Sequence, residues 1–231
     1  MKPVNVKLPH PPQSSFKYKK IELESLDFNW HCHPEYEIMF MYHSRGKRFI
    51  GNNIDYYKEG DLFFIGANLP HTWYSAAGAM GKNRHHEAIL VQFAENFAGL
   101  NVHKIPEFTT IHQLLSKASR GIQIFGKTKR IIAKKLVEME TLDGLGRFVS
   151  LITILDTLSK AIKTDKKILS SIEFNGFFNS YEQNRIDRVC TYINQHYRQK
   201  LSLEEAASRI NMSTTAFSRF FKKSTGKTFV N

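Results

Sequence analysis

The stretch Phe28–Phe40 reads FNWHCHPEYEIMF: two histidines flank a cysteine, and a glutamate follows four residues after the second histidine. Side chains alternate faces along a strand, so His31, His33 and Glu37 share one face and Cys32 takes the other. Pro34 is a break in that strand. His71 follows a turn-rich run, EGDLFFIGANLPH. Three imidazoles and one carboxylate are a sufficient ligand set for Fe, Mn, Ni or Zn. The same four residues can instead line a pocket for a small molecule, or serve only as packing and turn residues. Met39, Met41 and Trp73 share this parity within their strands and would give such a pocket adaptable apolar walls; they also suit an ordinary core. His85 and His86, in GKNRHHEA, read as exposed loop histidines. The two cysteines, Cys32 and Cys190, lie far apart and form neither a disulfide framework nor a cysteine-based zinc motif.

A second chemistry lies at the C-terminal end. Ile186, Val189, Ile193 and Tyr197 form one helical face. In SLEE, Ser202 opens a second helix as a capping box, with Glu205 reaching back. NMS is a tight turn, Ser213 caps a third helix, and TTAFSRFFKKS buries Ala216, Phe217, Phe220 and Phe221 before Gly226 ends it. Two short helices joined by a tight turn, the second one basic, make a helix-turn-helix. On the outward face of that helix, Arg219 can pair bidentately with guanine, Thr215 can meet a thymine methyl, and Ser218 lies beside them. Lys222 and Lys223 suit phosphates.

These residues need elements to hold them. FKYKKIEL, YEIMFMY, KRFI, NIDYY, DLFFI, HTWY and EAILVQF are rich in aromatic and β-branched residues and are separated by turn sequences. Strands of this number and length predict a sandwich or small barrel. From Thr109 the period becomes helical in IHQLLSKASRGIQIF, TKRIIAKKLVEME and RFVSLITILDTLSKAI. The stripe Phe148, Leu151, Ile152, Leu155, Leu158 and Ile162 must pack on its own domain or on a second copy. Residues 166–184 read as a linker. The chain has 231 residues and a net charge of +12. Residues 1–100 hold 11 Lys+Arg against 10 Asp+Glu, residues 101–165 hold 11 against 6, and residues 166–231 hold 11 against 5. The charge therefore sits in the rear, which points to a polyanion such as nucleic acid. No signal peptide or membrane span is evident, which predicts a soluble, cytoplasmic protein with no membrane partner.

LSLEEAASRINMSTTAFSRFFKKSTGKTF resembles the first helix-turn-helix of AraC-family transcription regulators, with MS…FSR.FKK.TG as the specific segment. The resemblance implies that Thr215, Ser218 and Arg219 occupy base-reading positions. HCHPEYE is similar to the first cupin motif, and Gly60 to His71 follows the second, with Gly66 in place of its proline and Asn68 in place of its second glycine. In metal-binding cupins the matching residues are the ligands; in regulators they can line an effector pocket. The implied architecture is α+β: an N-terminal arm at 1–15, a cupin-like jelly-roll barrel at 16–108, a helical dimerisation segment at 109–165, the linker at 166–184, and the helix-turn-helix domain at 185–231. The family carries two helix-turn-helix units, and the chain reaches only the first, an expected truncation. The implied function is non-enzymatic: a homodimer that senses a small molecule and reads double-stranded DNA. It requires no cofactor, and a divalent metal in the barrel is an open alternative. Two rival functions are a metal-dependent cupin dioxygenase or isomerase, and a truncated modulator that pairs with a full-length regulator.

Overall fold

The period-2 segments become strands almost residue for residue in a computed structural model. It describes residues 3–5, 14–81, 85–99, 105–173, 185, 188, 189, 192, 193, 196, 201–225, 228 and 229. One sheet runs in the order β1 (Val4–Asn5), β3 (His31–Cys32), β8 (His71–Tyr74), β5 (Gly46–Ile50) and β6 (Asn53–Tyr57). The other runs β11 (Lys166–Ile168), β10 (Ile122–Ile124), β7 (Leu62–Ile65), β4 (Tyr36–His43), β9 (His86–Phe93) and β2 (Phe16–Leu23). Apart from the short parallel pair β1–β3, the pairings between described strands are antiparallel. The fold is thus α+β with a pair of facing, mostly antiparallel sheets, and the expected closed barrel does not form among the described residues.

The layers follow from which faces are apolar. Met39, Met41, Phe63, Ile65 and Leu90 of the second sheet meet Ile50, Tyr57 and Trp73 of the first, forming the inner core. The alternate residues of the second sheet, among them Ile38, Phe40, Phe64, Ile89 and Val91, pack outward against helices. A sheet covered on both faces needs continuous apolar strands, which is why β7 is buried at every position. The covering helices are α1 (Thr109–Ala118), α2 (Gly126–Glu138) and α3 (Gly144–Ser159). On the far side, Phe49, Ile54 and Tyr74 of the first sheet, with Trp30 just ahead of β3, share a cluster with the C-terminal helices. The order of layers is therefore C-terminal unit, first sheet, second sheet, helices.

Three expectations change. The run IHQLLSKASRGIQIF does not stay helical. Gly121 adopts a left-handed φ of 64°, and Ile122–Ile124 then joins the second sheet beside β7. Residues 166–168, placed in the linker by composition, form the edge strand β11 on β10. A three-residue strand has too short a pattern to read; only its partner edge defines it. Lastly, Leu151, Leu155 and Leu158 are fully buried within their own chain, with Phe148 and Ile152 packed against the same cluster. The stripe is this domain's core and not a surface for a second copy. Ile162 lies beyond the helix and is 65% exposed.

In the C-terminal unit, α4 (Leu203–Ser208) and α5 (Thr214–Thr225) are joined by a turn through Asn211, left-handed at φ 53°. Asn tolerates that region because its short polar side chain can bond locally. Ser213 Oγ accepts from the Ala216 N–H at 3.3 Å, as an N-cap does. Only half of the expected capping box forms. Ser202 Oγ accepts from Glu205 N–H at 3.2 Å, but the Ser202 N–H donates to Tyr192 Oη, also at 3.2 Å. Glu205 instead accepts from Tyr192 Oη at 2.9 Å, so the acid ties two helices together. Ile186, Cys190, Tyr197 and Gly226 lie outside the described residues, as does the side chain of Lys223.

Candidate functional site

Strand register assembles the histidine cluster from both sheets. His31 of β3 lies opposite His71 of β8, and Glu37 of β4 lies opposite Gln92 of β9. His33 sits between β3 and β4, where Pro34 interrupts the strand, yet its ring still joins the group. Ring centroids are 4.5 Å apart for His31–His71, 5.1 Å for His33–His71 and 5.6 Å for His31–His33. One ligating nitrogen from each histidine lies within 4.8 Å of the other two. Glu37 Oε2 is 3.2 Å from His33 Nε2 and 3.5 Å from His71 Nε2.

The second-motif departures have local causes. Asn68 takes the left-handed φ of 58° that a glycine would otherwise supply, and its N–H donates to the His33 carbonyl at 2.7 Å. Gly66 faces the Ala118 backbone so closely that a Cβ would collide with it. The loop leading to His71 is thus held against both His33 and α1.

Each histidine is pinned through Nδ1 to a backbone carbonyl: His31 to Asn29 at 2.7 Å, His33 to Glu35 at 3.0 Å, His71 to Leu69 at 2.8 Å. A carbonyl only accepts, so each Nδ1 carries the proton. In the neutral imidazoles the three Nε2 lone pairs are then left beside a carboxylate. Three arrangements satisfy that geometry: an imidazolium paired with Glu37, a cation coordinated by Nε2 atoms, or, at His33, acceptance from the Gln92 amide N–H 3.3 Å from its Nε2. A carbonyl-bound Nδ1–H is the usual support of a metal-ligating histidine, because it fixes both tautomer and ring orientation. Burial, helped by the nearby His71, pulls His31 down to about 4, so it is neutral at pH 7. For His33, burial acts downward, but the Glu37 hydrogen bond with the charges of Glu37 and Glu35 outweighs it and the value rises. Burial pushes Glu37 up, yet the His71 charge and bonds from His33 and His71 hold it well below the usual carboxylate range.

Of the cluster, His31 and Glu37 line a cavity of about 300 Å³; His33 and His71, expected to line it too, are buried but are not part of its wall. Met39, Met41, Leu90 and Trp73 form its walls, and Lys17, Lys19 and Ile21 of β2 reach in from the edge strand. Gln92 donates to Glu37 Oε2 at 2.9 Å. Among the described residues, Glu37 Oε1, Gln92 Oε1 and Trp73 Nε1 are buried without a hydrogen-bond partner. Gln92, Lys17 and Lys19 escaped the sequence reading. For Gln92 the signal is a polar residue at an inward position of an otherwise apolar strand; Lys17 and Lys19 lie in a strand with several charged residues, and only register says that they face inward. His86 also differs from expectation: it is 1% exposed, and its Nδ1 bonds Ser44 Oγ at 2.9 Å. His85 is exposed.

At the other site, Thr215, Ser218, Arg219 and Lys222 are exposed, while Phe217 and Phe221 on the opposite side of α5 are buried. The described helix therefore presents hydroxyl, guanidinium and ammonium groups together to solvent.

No protein-family model matches the sequence, and no curated protein is significantly similar to it. Solved structures similar in arrangement include the AraC-like transcriptional activator CuxR, at 10% identity and TM-score 0.42, over 82% of this chain and 61% of that one. Unsaturated fatty acid-bound ToxT from Vibrio cholerae matches at 11% identity and TM-score 0.35, over 96% of this chain and 95% of its own. A cupin 2 conserved barrel domain protein from Rhodopseudomonas palustris matches at 17% identity and TM-score 0.29, over 38% of this chain and 57% of its own. Among the described residues, no helix is long and apolar enough to cross a membrane.

Proposed function

We propose that the chain is a ligand-responsive, DNA-binding transcription regulator of the AraC type, with a small molecule sensed in the cavity and DNA read by α5. The observation that carries this reading is the two-sided α5: Arg219 and its neighbours are solvent-facing while Phe217 and Phe221 anchor the helix. Arg219 and Thr215 suit base edges, Ser218 lies between them, and Lys222 suits a phosphate. Lys223 is assigned to phosphate by sequence alone. The cavity's chemistry favours an organic anion with an apolar body, its acid near Lys17 and Lys19 and its body against Met39, Met41 and Trp73. His31, His33, Glu37 and His71 fit a divalent cation, which when bound would supply a Lewis-acidic anchor for that acid.

The regulator is a homodimer in this reading. Its contact surface is not the buried stripe but Leu142, Leu145 and Val149, which are 37%, 72% and 56% exposed around the start of α3. The test of function is DNA selection from a random-sequence pool. Recovery of one enriched motif, lost in Arg219→Ala at a single base position, supports the regulator; uniform recovery of all sequences removes it. A second reading, a metal-dependent cupin enzyme, rests on the three carbonyl-pinned histidines. Turnover of small organic acids by the metal-loaded chain, with no motif enriched, would favour it.

A further inference from the structure

A second cavity, of about 290 Å³, lies on the helix layer, away from the histidine cluster. Thr110, Gln113, Leu114 and Lys117 recur at i, i+3, i+4 and i+7 and give it one stripe of α1. Lys166 and Ile168, two apart on β11, supply one strand face, and Ile168 pairs in register with Ile122 of β10. At the end of α3, Ser159 Oγ lies 3.2 Å from Thr110 Oγ1, and Lys163 precedes β11 in a short turn. Leu114 and Ile122 are buried and Ile168 is 39% exposed, so the apolar floor continues out to solvent. Three lysines line the cavity and no acidic residue does. Nearby lysines find carboxylates: Lys160 pairs with Asp156 at 2.8 Å and Lys134 with Glu138 at 3.8 Å. Among the described residues, Lys117, Lys163 and Lys166 have no ion-pair partner. Burial, and after it the charge of Lys117, lowers the Lys166 pKa, so these two cations repel each other at the cavity.

We infer that this cavity binds a small phosphate monoester, with its phosphate among Lys117, Lys163 and Lys166 and its apolar body on Leu114, Ile122 and Ile168. A dianion offsets the repulsion of several cations at once, where a carboxylate brings a single charge. Phosphate oxygens only accept, and the site offers three ammonium groups, the Thr110 hydroxyl and the Gln113 amide as donors. Its volume is at the small end of ligand cavities, which limits the body to about one ring or a short chain. The site shares no lining residue with the cavity beside His31, and the two lie on opposite faces of the second sheet. A DNA backbone carries related chemistry, but each of its phosphates is a monoanionic diester. Moreover, α5 lies beyond the first sheet, whereas this cavity lies with α1 on the far side of the second. Facing sheets are about 10 Å apart, so a duplex seated on α5 does not reach Lys117.

The test uses the whole chain and phenyl phosphate as probe, titrated calorimetrically in low salt beside inorganic phosphate, benzoate and a short DNA duplex. The wild type should bind phenyl phosphate more tightly than either inorganic phosphate or benzoate. Lys117→Gln and Lys166→Gln should each weaken phenyl phosphate about tenfold, as the loss of a charge-assisted hydrogen bond does. Lys167 is exposed on the other face of β11 and does not line the cavity, so Lys167→Gln removes the same charge and should leave the affinity unchanged. A wild type that binds no phenyl phosphate overturns the proposal. Equal weakening in Lys167→Gln and Lys166→Gln overturns it in favour of a general positive surface. Weakening in Lys17→Gln with none in Lys166→Gln places the probe beside His31 and overturns it too. Benzoate bound as tightly as phenyl phosphate overturns the phosphate assignment, and inorganic phosphate bound as tightly overturns the role of the apolar floor. If Lys166→Gln weakens the duplex as much as it weakens phenyl phosphate, the lysines serve DNA and the proposal falls.

Discussion

Thr215, Ser218, Arg219 and Lys222 reach solvent together because residues three and four apart share a helix face, a matter of local geometry. His31, His33, Glu37 and His71 come together only because two sheets close on each other and a loop carries His71 back. The first site is a surface: each side chain acts nearly alone, and losing one leaves the others usable. The second is a buried network in which a carboxylate, three tautomer-fixed imidazoles and an amide constrain one another, so changes there are strongly non-additive. Buried polar groups are costly unless matched, which is why the cavity end has so many backbone carbonyls aimed at ring nitrogens.

That contrast can be broken at several points. The greatest effect is expected outside both sites. Leu155→Ala in the α3 core should cost about 2–5 kcal/mol in denaturant unfolding. A loss under about 0.5 kcal/mol, the size expected of a surface change, would return the stripe to a role between copies. By contrast, Leu145→Glu with Val149→Glu should leave folding intact and turn a dimer into a monomer in sedimentation.

Arg219→Ala should cost about 1–3 kcal/mol of binding at one base position, whereas Lys222→Ala should weaken all sequences alike and lower the salt slope by about one. If both substitutions weaken every sequence equally, α5 does not read bases. At its cap, Ser213→Ala should cost about 1 kcal/mol of stability, seen as a lower midpoint in urea.

The histidine cluster should instead show itself through pH. His33 is raised from 6.5 when folded, so in metal-free protein its contribution is complete below about 6.5 and is lost as pH rises through the folded value. Glu37 is depressed from 4.5, so its contribution is present above that and is lost as pH falls through the folded value. With chelator present, the pair should therefore support the melting temperature most strongly between about pH 4.5 and 6.5. The increment from added Zn²⁺ should grow above that window, since the cation displaces the His33 proton. A Zn²⁺ increment independent of pH would mean that the metal binds elsewhere.

Much of this molecule was legible from residue order alone. Alternation marked out β2, β4–β9 and the parity of His31, Glu37, Met39 and Met41, because side-chain direction in a strand depends only on counting. The helix-turn-helix was readable down to its Ser213 cap and its turn at Asn211, because caps and tight turns are interactions within a few residues. What the chain could not declare is anything settled by a distant partner. The short strands β10 and β11 exist because an exposed sheet edge accepts them. The α3 stripe looked the same for burial within one chain or between two, since amphipathicity names a face but not what covers it. Gln92, Lys17, Lys19 and Trp30 were ordinary strand and loop residues until register turned them toward the cavity or the C-terminal unit. Local geometry sets the direction of a side chain; only the tertiary structure decides what it meets there, because burial and its electrostatic consequences depend on neighbours far away in sequence.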